Sequence, residues 1–178
     1  MVPSQLLQHI FDSNFLERRV YVDVLLPGTY APNGQRYPTL WLNDGQDLTA
    51  LRIEESLAEL YRSGDVQEII VIAIHNPFNR MQEYGISHAP DYKSRGAKAF
   101  QYRQFVLEVL MPMIREKYPC SLQVRHNVFA GCSLGALSAF DIVWNHPHVF
   151  SKLGCFSGSF WWRSHAFDEQ QPDAHRIL

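Results

Sequence analysis

The feature that most constrains the fold is Gly131-Cys132-Ser133-Leu134-Gly135, in which two glycines flank a serine at a spacing of two. The segment before it, residues 124–129, is β-prone, and residues 134–146 have helical spacing. Such a serine lies at a sharp turn between strand and helix, where its hydroxyl points out of the fold. The flanking glycines allow the strand and the helix to approach without Cβ clashes. The alternative is a glycine-rich turn in which Ser133 only caps the helix.

Composition places the chain among globular proteins with one core. It has 178 residues, 46% of them hydrophobic, and a formal net charge of −2 without a long run of one sign. This balance favours neither nucleic acid nor an anionic membrane as a partner. The N-terminus lacks the pattern of a signal peptide, and no apolar run reaches transmembrane length. The sequence leaves oligomerisation open.

The three cysteines indicate the redox setting. They are odd in number and scattered along the chain. This pattern argues against paired structural disulfides and against a zinc cluster. We therefore expect a reducing, cytoplasmic location, and we expect no metal and no cofactor, because phosphate-binding glycine motifs are also absent.

Strand and helix patterns alternate along the chain. The unbroken β-branched run at 69–74 indicates a central parallel strand, and residues 76–97 form a long loop. Residues 9–15 are a weaker strand candidate, and Pro112 should kink or break its helix. Alternation of this kind predicts an α/β fold with a mainly parallel sheet. The predicted strands are 19–26, 39–42, 68–75, 124–129 and 152–157, and the predicted helices are 51–61, 99–118 and 134–146.

Several motifs in a fixed order carry a family resemblance. They are the strand at 20–27, Leu40-Trp41-Leu42-Asn43-Asp44-Gly45-Gln46-Asp47, Asn79-Arg80-Met81-Gln82-Glu83-Tyr84, the glycine–serine motif at 131–135, and Ser157-Gly158-Ser159-Phe160-Trp161-Trp162. In these motifs the sequence resembles the branch of the α/β-hydrolases that includes esterase D, enterochelin esterase and feruloyl esterase relatives. The likeness covers roughly 19 to 162 and departs at Ala136, where members often carry a second glycine. It implies a three-layer α/β-hydrolase sandwich and a serine esterase.

The C-terminal part departs further from that family. An α/β-hydrolase needs a serine, then an acid, then a histidine in chain order, the last two after later strands. Only one convincing strand follows Ser133, and the tail from 164 to 178 is short and polar. We therefore expect residues 1–178 to be a single domain that lacks its last strands, its acid and its histidine. The alternative is a compact variant in which His175 is the base.

The resemblance assigns roles around Ser133. Ser133 would be the nucleophile, and the backbone N–H of Leu134 would be one donor to the oxyanion. The second donor would come from the turn after Leu42, and we favour the N–H of Gln46 over that of Asp47. The alternative for this turn is an ordinary Asp-Gly turn. Cys132 is expected to be a small packing residue.

Further candidates for substrate binding lie on loops. Residues 80–84 belong to the loop after the central strand, where ligands bind in this topology. An Arg–Glu pair that fixes the loop is the alternative there, and for the two tryptophans the alternative is a place in the core. The candidates are Asp47, Arg80, Glu83, Tyr84, Trp161 and Trp162.

Three functions remain open from the sequence. The leading hypothesis is a serine esterase that acts on a small-molecule ester through an acyl-enzyme at Ser133. The second is a non-catalytic ligand-binding domain of the same fold. The third is an acyltransferase that passes the acyl group to a sugar or an alcohol.

Overall fold

A computed structural model describes residues 4–31 and 34–177. Its centre is a six-stranded mixed sheet in the order β1-β2-β4-β3-β5-β6. Strands β3 to β6 are parallel, and β1 and β2 are antiparallel to their neighbours, which confirms the mainly parallel α/β fold. The strands are β1 (Gln5–Ser13), β2 (Arg18–Leu26), β3 (Thr39–Asn43), β4 (Ile70–Ile74), β5 (Asn127–Cys132) and β6 (Lys152–Phe156).

The helices lie between the strands, as the pattern predicts. A π-helical turn, Phe105–Leu110, joins α3 to α4, and Pro112 lies in the first turn of α4. The π-helical turn directly before α4 therefore accommodates Pro112, where the sequence predicted a kink or a break in the helix. No helix in the described part of the chain is long and apolar enough to cross a bilayer. The helices are α1 (Ile53–Ser63), α2 (Arg80–Glu83), α3 (Ala99–Gln104), α4 (Met111–Lys117) and α5 (Leu134–Asn145).

The two faces of the sheet bury different amounts of apolar surface. Alternate strand residues point to opposite faces. One face, with Trp41 and Phe129, packs against α3, α4 and α5 in the main core. The other face carries a smaller cluster around Leu42 and Ala73, against which Ile53 of α1 is only partly buried. The result is the expected three layers, one of them thin.

Strands β1 and β5 differ most from their predicted bounds. Strand β1 begins at Gln5, earlier than predicted, and its start was missed because its first half is largely exposed and shows little hydrophobic alternation. Strand β5 begins at Asn127, because Val124–His126 forms a 3-10 turn. Strands β3 and β5 are adjacent and parallel, with Leu42 opposite Ala130. The turns that follow these two strands therefore meet at the same edge of the sheet.

Candidate active site

Ser133 lies at the tip of the turn between β5 and α5, as the motif predicts. Its backbone adopts φ 55° and ψ −118°, and its side chain is exposed. A non-glycine residue in this region costs on the order of 1–3 kcal/mol. The fold therefore holds Ser133 in a strained conformation that presents its hydroxyl.

Gly131 and Gly135 make this turn possible by close approach of the backbone. A Cβ at Gly131 would lie 2.5 Å from the carbonyl carbon and oxygen of Gly135. A Cβ at Gly135 would lie 2.7 Å from Oδ2 of Asp44. A side chain at either position would force the elbow away from its neighbours.

Two backbone N–H groups in the turns at this edge of the sheet have no acceptor among the described residues. One belongs to Leu134 at the start of α5, where the helix dipole also favours negative charge. The other belongs to Gln46 in the 3-10 turn Gly45–Asp47. The N–H of Asp47 instead donates to the carbonyl of Asp44 at 2.9 Å. This difference supports Gln46 over Asp47 as the second oxyanion donor.

Asp44 organises the turn that carries Gln46. It is buried, with φ 61° and ψ 49°, and its carboxylate accepts hydrogen bonds from Arg80 Nε at 3.2 Å and Nη2 at 3.0 Å. The Gln46 side-chain amide donates to the same carboxylate at 3.0 Å. The hydrogen bond to Asp44 raises the pKa of Arg80. The ion pair thus fixes the peptide that would hold the oxyanion.

Two buried tyrosines and Asn43 connect this turn to the elbow. The N–H of Asp44 donates to Tyr84 Oη at 3.1 Å, and Tyr102 Oη donates to Asn43 Oδ1 at 2.5 Å. Asn43 Nδ2 donates to the carbonyl of Gly135 at 2.8 Å. Burial raises the pKa of both tyrosines, so they remain neutral. The two candidate oxyanion donors therefore belong to one hydrogen-bonded unit.

The end of β4 supports the same turn from the other side. The side-chain carbonyl of Gln46 accepts the N–H of Asn76 at 2.9 Å. His75, which directly follows this strand, contacts Asp23 Oδ2 through Nε2 at 2.8 Å. His75 is therefore satisfied locally, next to Gly45, whose added Cβ would lie 2.8 Å from the imidazole.

The Ser133 hydroxyl has one side-chain partner in the described part of the chain. Its Oγ lies 3.2 Å from Oγ of Ser159. No imidazole among residues 4–31 and 34–177 forms a hydrogen bond with it. His175 instead packs against His165, with ring centroids 4.2 Å apart. The geometry therefore does not support His175 as the base.

Cys132 precedes Ser133 and is partly buried. Burial raises the pKa of its thiol, so the neutral form is favoured. This agrees with a packing role. Within the described residues no cluster of three or more His, Cys, Asp or Glu side chains could hold a metal ion.

Three of the predicted substrate contacts are buried and need correction. Glu83 is 2% exposed, and its two oxygens accept hydrogen bonds from Arg18 at 2.7 and 2.6 Å. Tyr84 is fully buried in the network described above. Trp162 is also fully buried, with Nε1 donating to the carbonyl of Ala89 at 2.9 Å. The geometry argues for structural roles of these three residues. Glu83 does form an Arg–Glu pair, but its partner is Arg18 and not Arg80.

The remaining candidates face solvent. Trp161 is 45% exposed, with the Arg95 guanidinium 4.4 Å from its ring centroid. Asp47 is exposed, and Arg80 is half-buried. Sequence reasoning missed Asp44 and Ser159. Both residues lie inside motifs that carry the family resemblance, and this position could have marked them as candidates.

Comparisons with known proteins identify the family and the fold. The model of the family described as "Putative esterase" matches residues 13–177. The chain is 27% identical over 145 residues to the uncharacterized protein YbbA of Bacillus subtilis (strain 168).

Two solved structures illustrate the fold. A ferulic acid esterase aligns with a TM-score of 0.74 at 21% identity over 96% of this chain. The ferric enterobactin esterase of Salmonella typhimurium aligns with a TM-score of 0.73 at 26% identity over 91% of this chain.

This chain is shorter than each of these proteins. The alignments span 57% of YbbA, 65% of the ferulic acid esterase and 38% of the ferric enterobactin esterase.

Proposed function

Because the chain belongs to the Putative esterase family, we propose that it carries the nucleophile and the oxyanion hole of a serine carboxylesterase. One observation carries the proposal. A strained, exposed Ser133 follows β5, and the turn that holds Gln46 follows the adjacent parallel strand β3. Among the described residues, the N–H groups of Leu134 and Gln46 have no acceptor. This arrangement suits a carbonyl group that becomes tetrahedral and negatively charged.

The proposed reaction proceeds through an acyl-enzyme. Ser133 Oγ attacks the ester carbonyl carbon while its proton passes to a general base. The carbonyl oxygen becomes an oxyanion that accepts hydrogen bonds from Leu134 and Gln46 N–H. The intermediate then expels the alcohol, which takes up the proton. Water hydrolyses the acyl-enzyme by the same route and regenerates the Ser133 hydroxyl.

The base and its acidic partner are the unassigned part of the mechanism. No described imidazole contacts Ser133, and the aligned relatives are longer than this chain. We propose that a longer chain supplies both groups after Leu178. Residues 1–178 alone would then be acylated slowly, although they include the proposed nucleophile and the proposed oxyanion donors.

We propose an aryl acyl group for the ester. Trp161 presents an exposed ring near the segment that follows β6, and Arg80 offers a half-buried cation at the oxyanion turn. Aromatic faces and cations suit aryl groups that carry polar substituents. Ferulic acid esterase and ferric enterobactin esterase are the names of two aligned proteins.

We also propose that the protein acts in the cytoplasm, which cell fractionation would test.

A fluorophosphonate probe tests the nucleophile. We expect mass spectrometry to find the probe on Ser133 in a chain extended past Leu178, and Ser133→Ala to abolish labelling. The matched control is Ser94→Ala, because Ser94 is also exposed and also has a positive φ, 58°. Labelling that persists in the Ser133 variant, or a folded extended chain that is never labelled, would refute the esterase.

A second candidate is a ligand-binding domain without catalysis. The observation in its favour is the lack of an imidazole at Ser133 among the described residues. It predicts that the extended chain binds aryl esters in calorimetry and returns them unhydrolysed. If labelling succeeds but an added alcohol receives the acyl group in preference to water, the function is acyl transfer.

A further inference from the structure

The side chain of Ser159 lies beside the proposed nucleophile and has no role in the mechanism above. Its Oγ is 3.2 Å from Ser133 Oγ, and the residue is 4% exposed. Among the described residues, Ser133 is the only side-chain partner of the Ser159 hydroxyl. A buried hydroxyl with a single partner directs its hydrogen-bonding capacity to that partner.

The backbone holds Ser159 in this position. The N–H of Ser159 donates to the carbonyl of Ser133 at 3.1 Å. In return, the N–H of Ser133 donates to the carbonyl of Phe156, at the end of β6, at 2.9 Å. Two backbone hydrogen bonds therefore fasten the segment after β6 to the strained elbow. These backbone hydrogen bonds fix the separation of the two residues, and with it the distance between their hydroxyl groups.

The chemistry of a serine nucleophile fixes the direction of this hydrogen bond. A hydroxyl has one proton to donate and two lone pairs that accept. Ser133 must give its own proton to the base, so the productive arrangement has Ser159 as donor and Ser133 Oγ as acceptor. A hydrogen bond to a group that gains negative charge becomes stronger as the charge develops.

We propose that Ser159 is a positioning residue for the nucleophile. Its hydroxyl fixes the side-chain rotamer of Ser133 and donates a hydrogen bond that stabilises negative charge on Oγ during attack. Its effect on catalysis rests on the proposed function. The hydrogen bond itself does not, so it can be tested in residues 1–178 without a base and without turnover.

A thiol in place of the Ser133 hydroxyl reports on this hydrogen bond. In the Ser133→Cys chain, the rate of alkylation by iodoacetamide at that position is followed against pH by mass spectrometry, since only the thiolate reacts. Adding Ser159→Ala removes the donor. We expect the midpoint to rise by about one pH unit, and the rate at neutral pH to fall several-fold, up to roughly 10-fold.

Matched variants separate this role from packing. Ser138→Ala removes another buried hydroxyl, 3% exposed, that does not contact Ser133, and it should leave the midpoint unchanged. Ser159→Thr keeps a hydroxyl and should restore the parent curve. If Ser159→Ala fails to fold, Ser159→Cys keeps the volume but is a weak donor, and it should shift the midpoint in the same direction. Identical curves for parent and Ser159 variants would overturn the proposal.

The extended chain provides the catalytic readout. There, Ser159→Ala should lower kcat by roughly 10-fold and leave KM unchanged, because a buried side chain that acts through Ser133 does not touch the substrate. A shifted thiol midpoint without any Ser133 labelling would refute the esterase and leave the hydrogen bond standing. Labelling without a shifted midpoint would refute only the role of Ser159.

Discussion

The two ends of the parallel strands are built in opposite ways. At the amino end, Thr39 Oγ1 donates to Asn127 Oδ1 at 2.8 Å and accepts from Trp41 Nε1 at 2.9 Å, so these buried polar groups are paired. At the carboxyl end, Ser133 and Asp44 have positive φ angles, and among the described residues the N–H groups of Leu134 and Gln46 lack acceptors. The carboxyl end therefore carries backbone strain and unused donors where the proposed chemistry takes place.

This difference shows how a small domain can carry a strained site. Beneath the strained residues lies a layer of satisfied polar groups, formed by Asn43, Tyr84 and Tyr102. Their hydrogen bonds are buried and therefore costly to break. The carboxyl end is expected to respond to mutation in both stability and reactivity, and the amino end in stability alone.

The largest effect should come from the elbow at the carboxyl end. Gly131→Ala places a Cβ against the backbone of Gly135, and backbone cannot rotate aside. We expect a loss of about 3 kcal/mol or more in the free energy of unfolding, measured by urea denaturation. The control is Gly64→Ala, where φ is 78° and the surrounding space is open. It should cost only about 1–2 kcal/mol, and equal losses would show that contact at the elbow is not the cause.

A pH-dependent effect should come from the amino end. Burial raises the pKa of Cys120 from 9.0 to about 11. The unfolded chain then loses this proton first as pH rises, so the stabilising contribution is complete below pH 9 and disappears by about pH 11. The change amounts to roughly 2–3 kcal/mol.

Cys120→Ala should therefore flatten the alkaline fall in stability relative to the parent chain. Urea denaturation of both proteins at several pH values between 8 and 11, in steps of about half a unit, gives the difference. Other groups that contribute to the alkaline fall, such as Tyr84, whose raised pKa keeps it neutral in the folded chain, are common to both proteins and cancel. Parallel curves would contradict the prediction.

A matched pair of hydroxyl deletions compares the two ends directly. Tyr84→Phe leaves the N–H of Asp44 without its acceptor. Thr39→Val leaves Asn127 Oδ1 without its donor and Trp41 Nε1 without its acceptor. Each should cost about 1–3 kcal/mol in unfolding free energy. Only Tyr84→Phe should also slow fluorophosphonate labelling of Ser133, measured in the extended chain. Equal labelling rates would show that the oxyanion turn does not depend on this support.

The smallest effect should come from a surface ion pair outside both ends. Lys98 Nζ lies 3.3 Å from Glu17 Oε2, and both side chains are largely exposed. Lys98→Ala should change the unfolding free energy by less than about 0.5 kcal/mol and leave labelling unchanged. A larger loss in thermal denaturation would mean that stability is less concentrated in the buried networks than we infer.

Much of the fold was predictable because its signals are local. The β-branched run of β4 and the glycine spacing around Ser133 each specify one element and its neighbours. The start of β1 was missed, because an exposed edge strand has little alternation to detect. Pro112 was expected to kink or break its helix, and the π-helical turn before it was not predicted, because such a turn depends on tertiary packing and has no simple sequence pattern.

The site was predictable only in part, because its polar contacts join residues that are distant in sequence. Ser133 and Leu134 were proposed from one short motif and Gln46 from another, and each motif is contiguous in sequence. The partners of Arg80 and Glu83, in contrast, lie outside the motif that contains these two residues. Arg80 pairs with Asp44, and Glu83 pairs with Arg18, which is 65 positions away. Spacing alone suggested that Arg80 and Glu83 would pair with each other.

The Asn43 side chain has a consequence for selectivity. Its amide donates a hydrogen bond that joins the end of β3 to the first turn of α5. The distance between the candidate N–H donors of Leu134 and Gln46 is therefore fixed by this side chain, and loop motion should not increase it. With a fixed distance between the donors, the affinity of an inhibitor should depend on the bond lengths around its central atom. Boronates and phosphonates should therefore differ in affinity even when they carry the same substituent.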